Sequence, residues 1–409
     1  MTSNSQNTVS QGLSSALELS VVMPCLNEAE TLAACVREAL SFLQEHSVPG
    51  EVVVADNGST DGSQDIAIRE GARVVNVPLR GYGAALYYGT LATHGRYVIM
   101  GDSDQSYDFS KMLPFLIKLR EGADLVMGNR FQGGIVQGAM PWKNRYIGNP
   151  LLSRLGRTLF GCPVRDFHCG LRGFTRDAFE RMDLHTTGME FASEMVIKTT
   201  LMGMRVAEVP TTLRPDGRSR PPHLRPWRDG WRHLRFMLLY SPDWLFLYPG
   251  LFLVFAGLGV GGWLAAGPRH IGGVQFDVHT ILYASLAVIL GFQAVSFAAF
   301  ARTFAIAEGL LPGTGWQTRL VRILTLEVGA TAGLMLFLVG LGGSVYEVLR
   351  WKKLGFGPLD VGSTLRGVIP SILAMALGLQ IAMSSFFLSI LGLSVRKLEG
   401  TDAKPDDKP

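Results

Sequence analysis

No C-x-x-C pair occurs among the four cysteines, Cys25, Cys35, Cys162 and Cys169. Neither a zinc ribbon nor a dithiol redox motif is therefore encoded, and free thiols in a reducing compartment are the expectation. Charge is also scarce: 18% of residues are Asp, Glu, Lys or Arg, against 47% hydrophobic. A net charge of +4 is too small to mark a nucleic-acid binder, so no nucleic-acid partner is expected. The stretch 1–17 is rich in Ser, Asn and Gln and has neither a basic start nor a long apolar run. It reads as a disordered tail rather than a signal peptide.

What the chain does have is two different patterns in its two halves. In the first, β-rich runs alternate with helical ones. Leu19–Met23 is a strand ended by Pro24, and Ala29–His46 carries Leu32, Val36, Leu40 and Leu43 at helix spacing. Glu51–Ala55 delivers Asp56 to a strand end, Arg73–Val77 precedes Arg80-Gly81-Tyr82-Gly83, and Tyr97–Met100 runs into Gly101-Asp102-Ser103-Asp104. Strands and helices alternating at this length predict a mostly parallel sheet with helices on both faces.

Asp102-Ser103-Asp104 places two carboxylates just past a strand, the rim where open α/β sheets bind ligands. Such an oxygen-rich pair suits Mg²⁺ or Mn²⁺, held by one or two carboxylates plus substrate phosphates. On its own a D-x-D is weak, since a loop of solvated acids reads the same way. Gly81-Tyr82-Gly83 reads equally as a helix N-terminus offering N–H groups to phosphate or as a tight turn.

Set in order, Pro24–Glu28, Asp56–Asp61, Arg80–Gly83, Asp102–Asp104 and Gly128–Arg130 each follow a strand and share one rim. This order closely resembles the family 2 glycosyltransferases of GT-A fold, and within them the dolichyl- or polyprenyl-phosphate sugar transferases. The resemblance covers roughly Leu19–Leu213. It implies that Pro24, Asn27, Glu28, Asp56 and Gly81 line the donor nucleotide, and that Asp102 contacts ribose or metal. Asp104 would hold the cation on the diphosphate, and Arg130 would face the acceptor phosphate or the sugar. Asp166, in the segment Asp166–Phe174 that resembles the family's D-x-x-x-G-x-R-x-F stretch, joins Asp104 and Arg130 as a catalytic candidate. Many relatives carry Gln two residues after the second Asp. Here Ser106 stands there, which leaves metal ligation beyond Asp104 open.

His168 beside Cys169 reads as a packed histidine, since no second pair has ligand spacing. Glu190 and Glu194, four apart, read either as sugar-orienting groups or as an exposed helix face. Leu213–Arg235 is a basic joint, in which Arg218-Ser219-Arg220 resembles the family's phosphate-closing loop. Arg218 and Arg220 thus join Arg130 as acceptor-phosphate candidates. Trp227, Trp231, Leu234 and Leu238 fall on one stripe, as for a helix lying in the headgroup layer.

Four apolar runs follow, Leu245–Ala266, Ile281–Phe300, Ile323–Val345 and Val368–Leu393, each near the ~20 residues that cross a bilayer. Gly257 and Gly261, and Gly329 and Gly333, have the spacing of close helix packing, and a homo-oligomer is left open. The expected organisation is a tail at 1–17, a GT-A catalytic domain at 18–213, a basic loop and juxtamembrane helix at 214–243, four transmembrane helices at 244–395 and a tail at 396–409.

The expected protein is thus a multi-pass enzyme of the cell membrane with a cytosolic catalytic domain. It transfers one sugar, with inversion, from a nucleotide sugar of UDP-glucose or GDP-mannose type to a polyprenyl phosphate. Arg350, Lys352, Lys353 and Arg366 on the supposed outer side run against the positive-inside trend. Two alternatives stand beside it: a processive polysaccharide synthase, whose Q-x-x-R-W segment is not found, and a non-catalytic lipid-handling protein with a degenerate sugar-nucleotide domain.

Overall fold

The computed structural model describes residues 17–219, 226–311 and 326–392. They form two compact units that divide between Met237 and Leu238. The calls on both tails and on Arg220 lie outside the described residues.

The first unit is built on a seven-stranded sheet. Its strands are β1 (Leu19–Cys25), β2 (Gly50–Asp56), β3 (Arg73–Asn76), β4 (Tyr97–Met100), β5 (Leu125–Asn129), β6 (Arg172–Thr175) and β7 (Val206–Pro210), in the order β3-β2-β1-β4-β6-β5-β7. β1 lies between β2 and β4, parallel to both, with Val21 opposite Val52 on one side and Ile99 on the other. Its near-continuous apolar sequence is what a strand covered on both faces requires. β6 is antiparallel to β4 and β5, so the sheet is mixed at that one strand, and β4 and β5 point the same way. The C-terminal ends of β1 to β5 therefore share one rim.

Helices α1 (Leu32–Glu45), α2 (Ser63–Arg69), α3 (Tyr82–Leu91) and α4 (Leu113–Arg120) follow the first four strands in turn. α1 buries Leu32, Val36, Ala39 and Leu43, and these pack with β1, β2 and β4 into one core. The short α5 (Arg130–Gly133) leaves β5, α6 (Asn149–Phe160) and α7 (Arg176–Met182) flank β6, and α8 (Phe191–Leu201) precedes β7. The amphipathic α9 (Pro226–Leu239) buries His233, Phe236 and Met237 and leaves Trp231 exposed. His233, Phe236 and Met237 thus form the packed side of α9.

The second unit holds α10 (Tyr248–Ala265), α11 (Val278–Ala307), α12 (Leu326–Lys353) and α13 (Val361–Leu391). All four are long and apolar enough to cross a membrane. A small hairpin, β8 (Arg269–Ile271) with β9 (Val274–Phe276), joins α10 to α11. Small residues set the helix contacts. Gly329 and Gly333 lie against Ser385 and Ala382 of α13, and Gly257 lies against Ala284 and Val288 of α11. Gly261 faces open space, so the expected Gly257/Gly261 pair is corrected: Gly250, against Gly291 and Ala294, makes the second contact. Arg366 pairs with Asp277 and Arg350 with Glu347. Half of the troublesome basic residues at that end are therefore neutralised locally.

Candidate active site

The rim of the first unit opens into a cavity of about 800 Å³. Pro24 and Glu28 from the turn after β1, Asn57 after β2, Gly81 and Tyr82 at the head of α3, and Asp102 and Asp104 after β4 all line it. Each lies where a parallel strand ends, which is why residues eighty positions apart in sequence meet.

Asp102 is tied by the Tyr82 hydroxyl, which donates to it at 3.0 Å. Burial first, and then the neighbouring charge of Asp104, push the Asp102 carboxyl up to about 6. Asp104 accepts from the Ser106 N–H at 3.0 Å and from the Ser106 hydroxyl at 2.5 Å. Its other oxygen is ion-paired with Arg218, whose Nε lies 3.5 Å from Glu28 Oε2. The loop bearing Arg218 is laced to the acid site: Gly217 N–H donates to the Asp104 carbonyl at 3.0 Å, and Arg214 N–H to the Ser106 carbonyl at 2.9 Å. Arg218 thus lies on the side of the cleft that carries the acid pair.

Two carboxylates and a hydroxyl make a hard-oxygen set of the kind Mg²⁺ or Mn²⁺ takes when phosphates complete the shell. Among the described residues no cluster of three His, Cys, Asp or Glu is arranged to hold a metal alone. The oxygens of Asp102 and Asp104 fit a cation whose shell is completed by phosphate oxygens.

Other candidates fall elsewhere. Arg130 and Asp166 form a bidentate pair, with Nε and Nη2 donating to the two carboxylate oxygens at 2.7 Å each. Asp166 is 0% exposed and lies against Arg130. Neither residue lines the cavity. Asp56 is buried, and its carboxylate accepts the N–H groups of Gly58 and Ser59 and the Gln64 amide. It holds the turn from which Asn57 reaches the cavity. Asn27 does the same for Thr60, accepting its N–H at 2.8 Å.

Gly81 lines the cavity, yet its N–H is committed to the Asn57 side chain at 2.8 Å. Its φ of +143° and the Thr187 carbonyl, 2.2 Å from where a Cβ would sit, make glycine obligatory there.

The loop from His185 to Met189 forms a wall that the sequence pattern did not reveal. Thr187, Gly188 and Met189 line the cavity, and Ala84 N–H donates to the Thr187 carbonyl at 3.1 Å. Glu194 anchors this wall: it is fully buried and accepts from the N–H groups of His185 and Thr186 and from the Thr186 hydroxyl. An exposed helix face is therefore the wrong reading of Glu194. Glu190 pairs with Arg232 at 2.9 Å, and Arg232 and Arg228 of α9 also line the cavity. The alternation of Trp and Arg in α9 signalled amphipathicity but not that two of its arginines reach the cleft.

His168 is packed, as expected. Its ring sits 4.7 Å from that of His233, edge to face, and both its nitrogens are buried without a hydrogen-bond partner. Burial above all, then His233, depresses its pKa well below the ordinary value. The four cysteines are free and buried.

A mixed sheet with paired carboxylates on its C-terminal rim and arginines over them, in a chain that also carries four membrane-length helices, defines a GT-A transferase tethered to a membrane. Comparison with known proteins gives the family. The description Glycosyl transferase family 2 matches residues 20–183, and the Glycosyltransferase family 2 C-terminal transmembrane region matches residues 299–392. The chain belongs to glycosyltransferase family 2.

It is 38% identical to the low-salt glycan biosynthesis hexosyltransferase Agl6 of Haloferax volcanii, across 91% of this chain and 89% of that one. It is 32% identical to a dolichyl-phosphate hexose transferase of the same organism, across 48% of this chain and 83% of that one. A solved glucosyl-3-phosphoglycerate synthase of Mycobacterium tuberculosis, in complex with Mn²⁺, UDP and glucosyl-3-phosphoglycerate, is 26% identical, with a TM-score of 0.42 over 55% of this chain and 78% of that one.

Proposed function

We propose that this glycosyltransferase moves a single hexose, with inversion, from a nucleoside-diphosphate sugar to a polyprenyl phosphate at the cytosolic leaflet. The observation that carries the reading is the shared cavity. The acid pair Asp102/Asp104 forms one side of it, and Arg218, Arg228 and Arg232 supply positive charge around the same space. A sugar between two phosphates needs that polarity. The name of the dolichyl-phosphate hexose transferase relative agrees with it.

The chemistry follows from the acceptor. A phosphate monoester has a second pKa of about 6, so a lipid phosphate arrives as an anion and needs no general base. The protein's work is positioning and charge neutralisation. Asp102 and Asp104 would hold the divalent cation, which when bound stabilises charge on the departing diphosphate. Arg218, paired with Asp104, would pass from it to that diphosphate. Arg228 and Arg232 face the same space and can receive the incoming phosphate through forked hydrogen bonds. Asp166 keeps Arg130 fixed and charged. Catalysis on the cytosolic side agrees with the basic joint directly before the first span.

Incubation of the purified protein with polyprenyl phosphate and a panel of nucleotide sugars, read by mass spectrometry of the lipid, tests this. One hexosyl phosphate lipid is expected from one donor, with product lost in Asp104→Ala. A polymeric product, or full activity in Asp104→Ala, overturns the reading.

A further inference from the structure

A second basin, of about 500 Å³, opens at the rim of the sheet opposite the acid pair. Small-molecule sites have volumes of roughly 300–1,000 Å³. The two rims are the two ends of β4: Arg96 stands just before that strand, and Gly101-Asp102 just after it. Arg96, Arg176 and Arg205 all line the basin, and none of its lining residues lines the first cavity.

The reversed strand gathers these three arginines. β4 and β7 begin at this rim, and β6, antiparallel to β4 and β5, ends there. Arg96 precedes β4, Arg205 precedes β7 and Arg176 follows β6. Each therefore stands one residue outside its strand on the same edge. Backbone bonds fix the alignment. Arg176 N–H donates to the Arg96 carbonyl at 3.1 Å, Thr175 N–H to the Asp124 carbonyl at 3.1 Å, and Asp124 N–H to the Arg205 carbonyl at 2.8 Å.

The acids around the basin are mostly committed elsewhere. Glu18, which also feels the charge of Arg96, receives a fork from Arg120 at 2.7 and 2.8 Å. Asp124 accepts from Arg181 at 2.9 Å and from the Arg205 N–H at 2.8 Å. Asp177 takes the Arg181 Nε at 3.0 Å. Among the described residues, Glu180 is the one lining carboxylate without an ion-pair partner. The three arginines meet no carboxylate through their side chains. Arg96 lies over the Tyr97 ring at 5.2 Å, Arg176 donates to the Thr93 carbonyl and hydroxyl, and the Arg205 guanidinium lies beside the Gly122 turn.

Forked N–H donors suit phosphoryl oxygens. Arg96 and Arg176 stand on adjacent strands and Arg205 two strands further on, with neighbouring strands about 4.8 Å apart. Charge spread along the edge in this way matches an anion of two linked phosphoryl groups better than one. Tyr97 and Leu119, the large apolar residues of the lining, are buried. The basin thus lacks the exposed apolar centre that a protein partner would need.

We propose that this basin is a second anion site, which binds a pyrophosphate group through Arg96, Arg176 and Arg205. Nucleoside diphosphates and free inorganic pyrophosphate share that group. The proposal rests on the sheet edge and not on the identity of donor or acceptor, so it stands or falls apart from the proposed reaction.

The test titrates inorganic pyrophosphate into the full chain in detergent, by calorimetry, with divalent cations chelated. Arg96→Gln combined with Arg205→Gln should weaken binding by roughly tenfold or more, as expected for lost hydrogen bonds between charged groups. Arg228→Gln combined with Arg232→Gln, in the first cavity, should leave this binding in place. Sulfate at equal ionic strength should bind several-fold more weakly. The native chain gives an independent reading. Phenylglyoxal should modify Arg96 and Arg205 several-fold more slowly when pyrophosphate is present, with exposed Arg154 unchanged, as followed by peptide mass spectrometry. Tighter binding of UDP or ADP at the same arginines would name a nucleotide as the ligand, and equal affinity the bare pyrophosphate. Loss of binding only in the Arg228/Arg232 variant, equal binding of sulfate, or no protection of Arg96 and Arg205 overturns the proposal.

Discussion

The Arg218 guanidinium is ion-paired with Asp104 and also lies 3.5 Å from Glu28, so the cleft carries its own cation. Only 11% of the Arg218 side chain is exposed. An acid pair buried at a sheet rim needs a counter-charge, and Arg218 supplies one that a divalent ion must displace. Arg218→Gln should therefore bind Mn²⁺ more tightly than the native protein when no nucleotide is present. The expected gain is roughly tenfold, or about 1.4 kcal/mol, the lower end for a hydrogen bond between charged groups. The same variant should bind the nucleoside diphosphate more weakly. Titration of Mn²⁺ by electron paramagnetic resonance, with and without nucleotide, reads both; equal metal affinity would count against the exchange.

The Arg130–Asp166 pair should matter more to stability than its distance from the cavity implies. Removing one partner leaves a buried charge uncompensated, at a cost of about 3–5 kcal/mol. Asp166→Ala should lower the thermal unfolding midpoint sharply. Arg130→Met combined with Asp166→Leu should recover part of the loss while activity stays low. Differential scanning fluorimetry in detergent separates the two effects.

His168 supplies a pH dependence with a definite sign. Its folded-state pKa lies well below its ordinary value near 6.5. Between those two values the unfolded chain binds the proton that the fold refuses. Stability from this residue is complete above about pH 6.5 and declines as pH falls below it, by up to about 1.4 kcal/mol per unit. The difference in unfolding midpoint between native protein and His168→Phe should shrink or reverse from pH 7.5 to pH 5. A parallel decline in both proteins would remove His168 as the cause.

Gly83 tests the wall of the cavity, on the reading that the donor binds there. A Cβ there would sit 2.6 Å from the Thr186 carbonyl, 2.7 Å from Phe191 Cβ and 2.8 Å from the Gly188 carbonyl. Gly83→Ala must push the 185–189 loop away from α3. Donor KM should rise severalfold with lipid-acceptor KM little changed. Glu194→Gln, which weakens the same wall from behind, should act in the same direction. An effect confined to the acceptor would place the loop on the other substrate.

Much of this protein was legible along the chain. The periodicity of apolar residues determined the alternating strands and helices and the four membrane-length segments, because burial imposes its period directly on sequence. The short motifs after each strand determined the contents of the rim, since a parallel sheet brings its strand ends to one edge whatever the packing behind them.

Tertiary structure decided what depends on contacts between distant segments. The antiparallel insertion of β6 leaves no local mark, because four residues can pair in either direction. The fork by which Asp166 engages Arg130 with both its oxygens could not be read from the spacing of its segment. Glu194 and Glu190 share a helix spacing but not a fate: one is sealed behind the cavity wall and the other meets Arg232. That Arg218 meets Asp104 could not be read until its loop was seen laced to that residue. Spacing along a chain records which face a residue occupies, whereas the partner on that face is set only when the chain folds back upon itself.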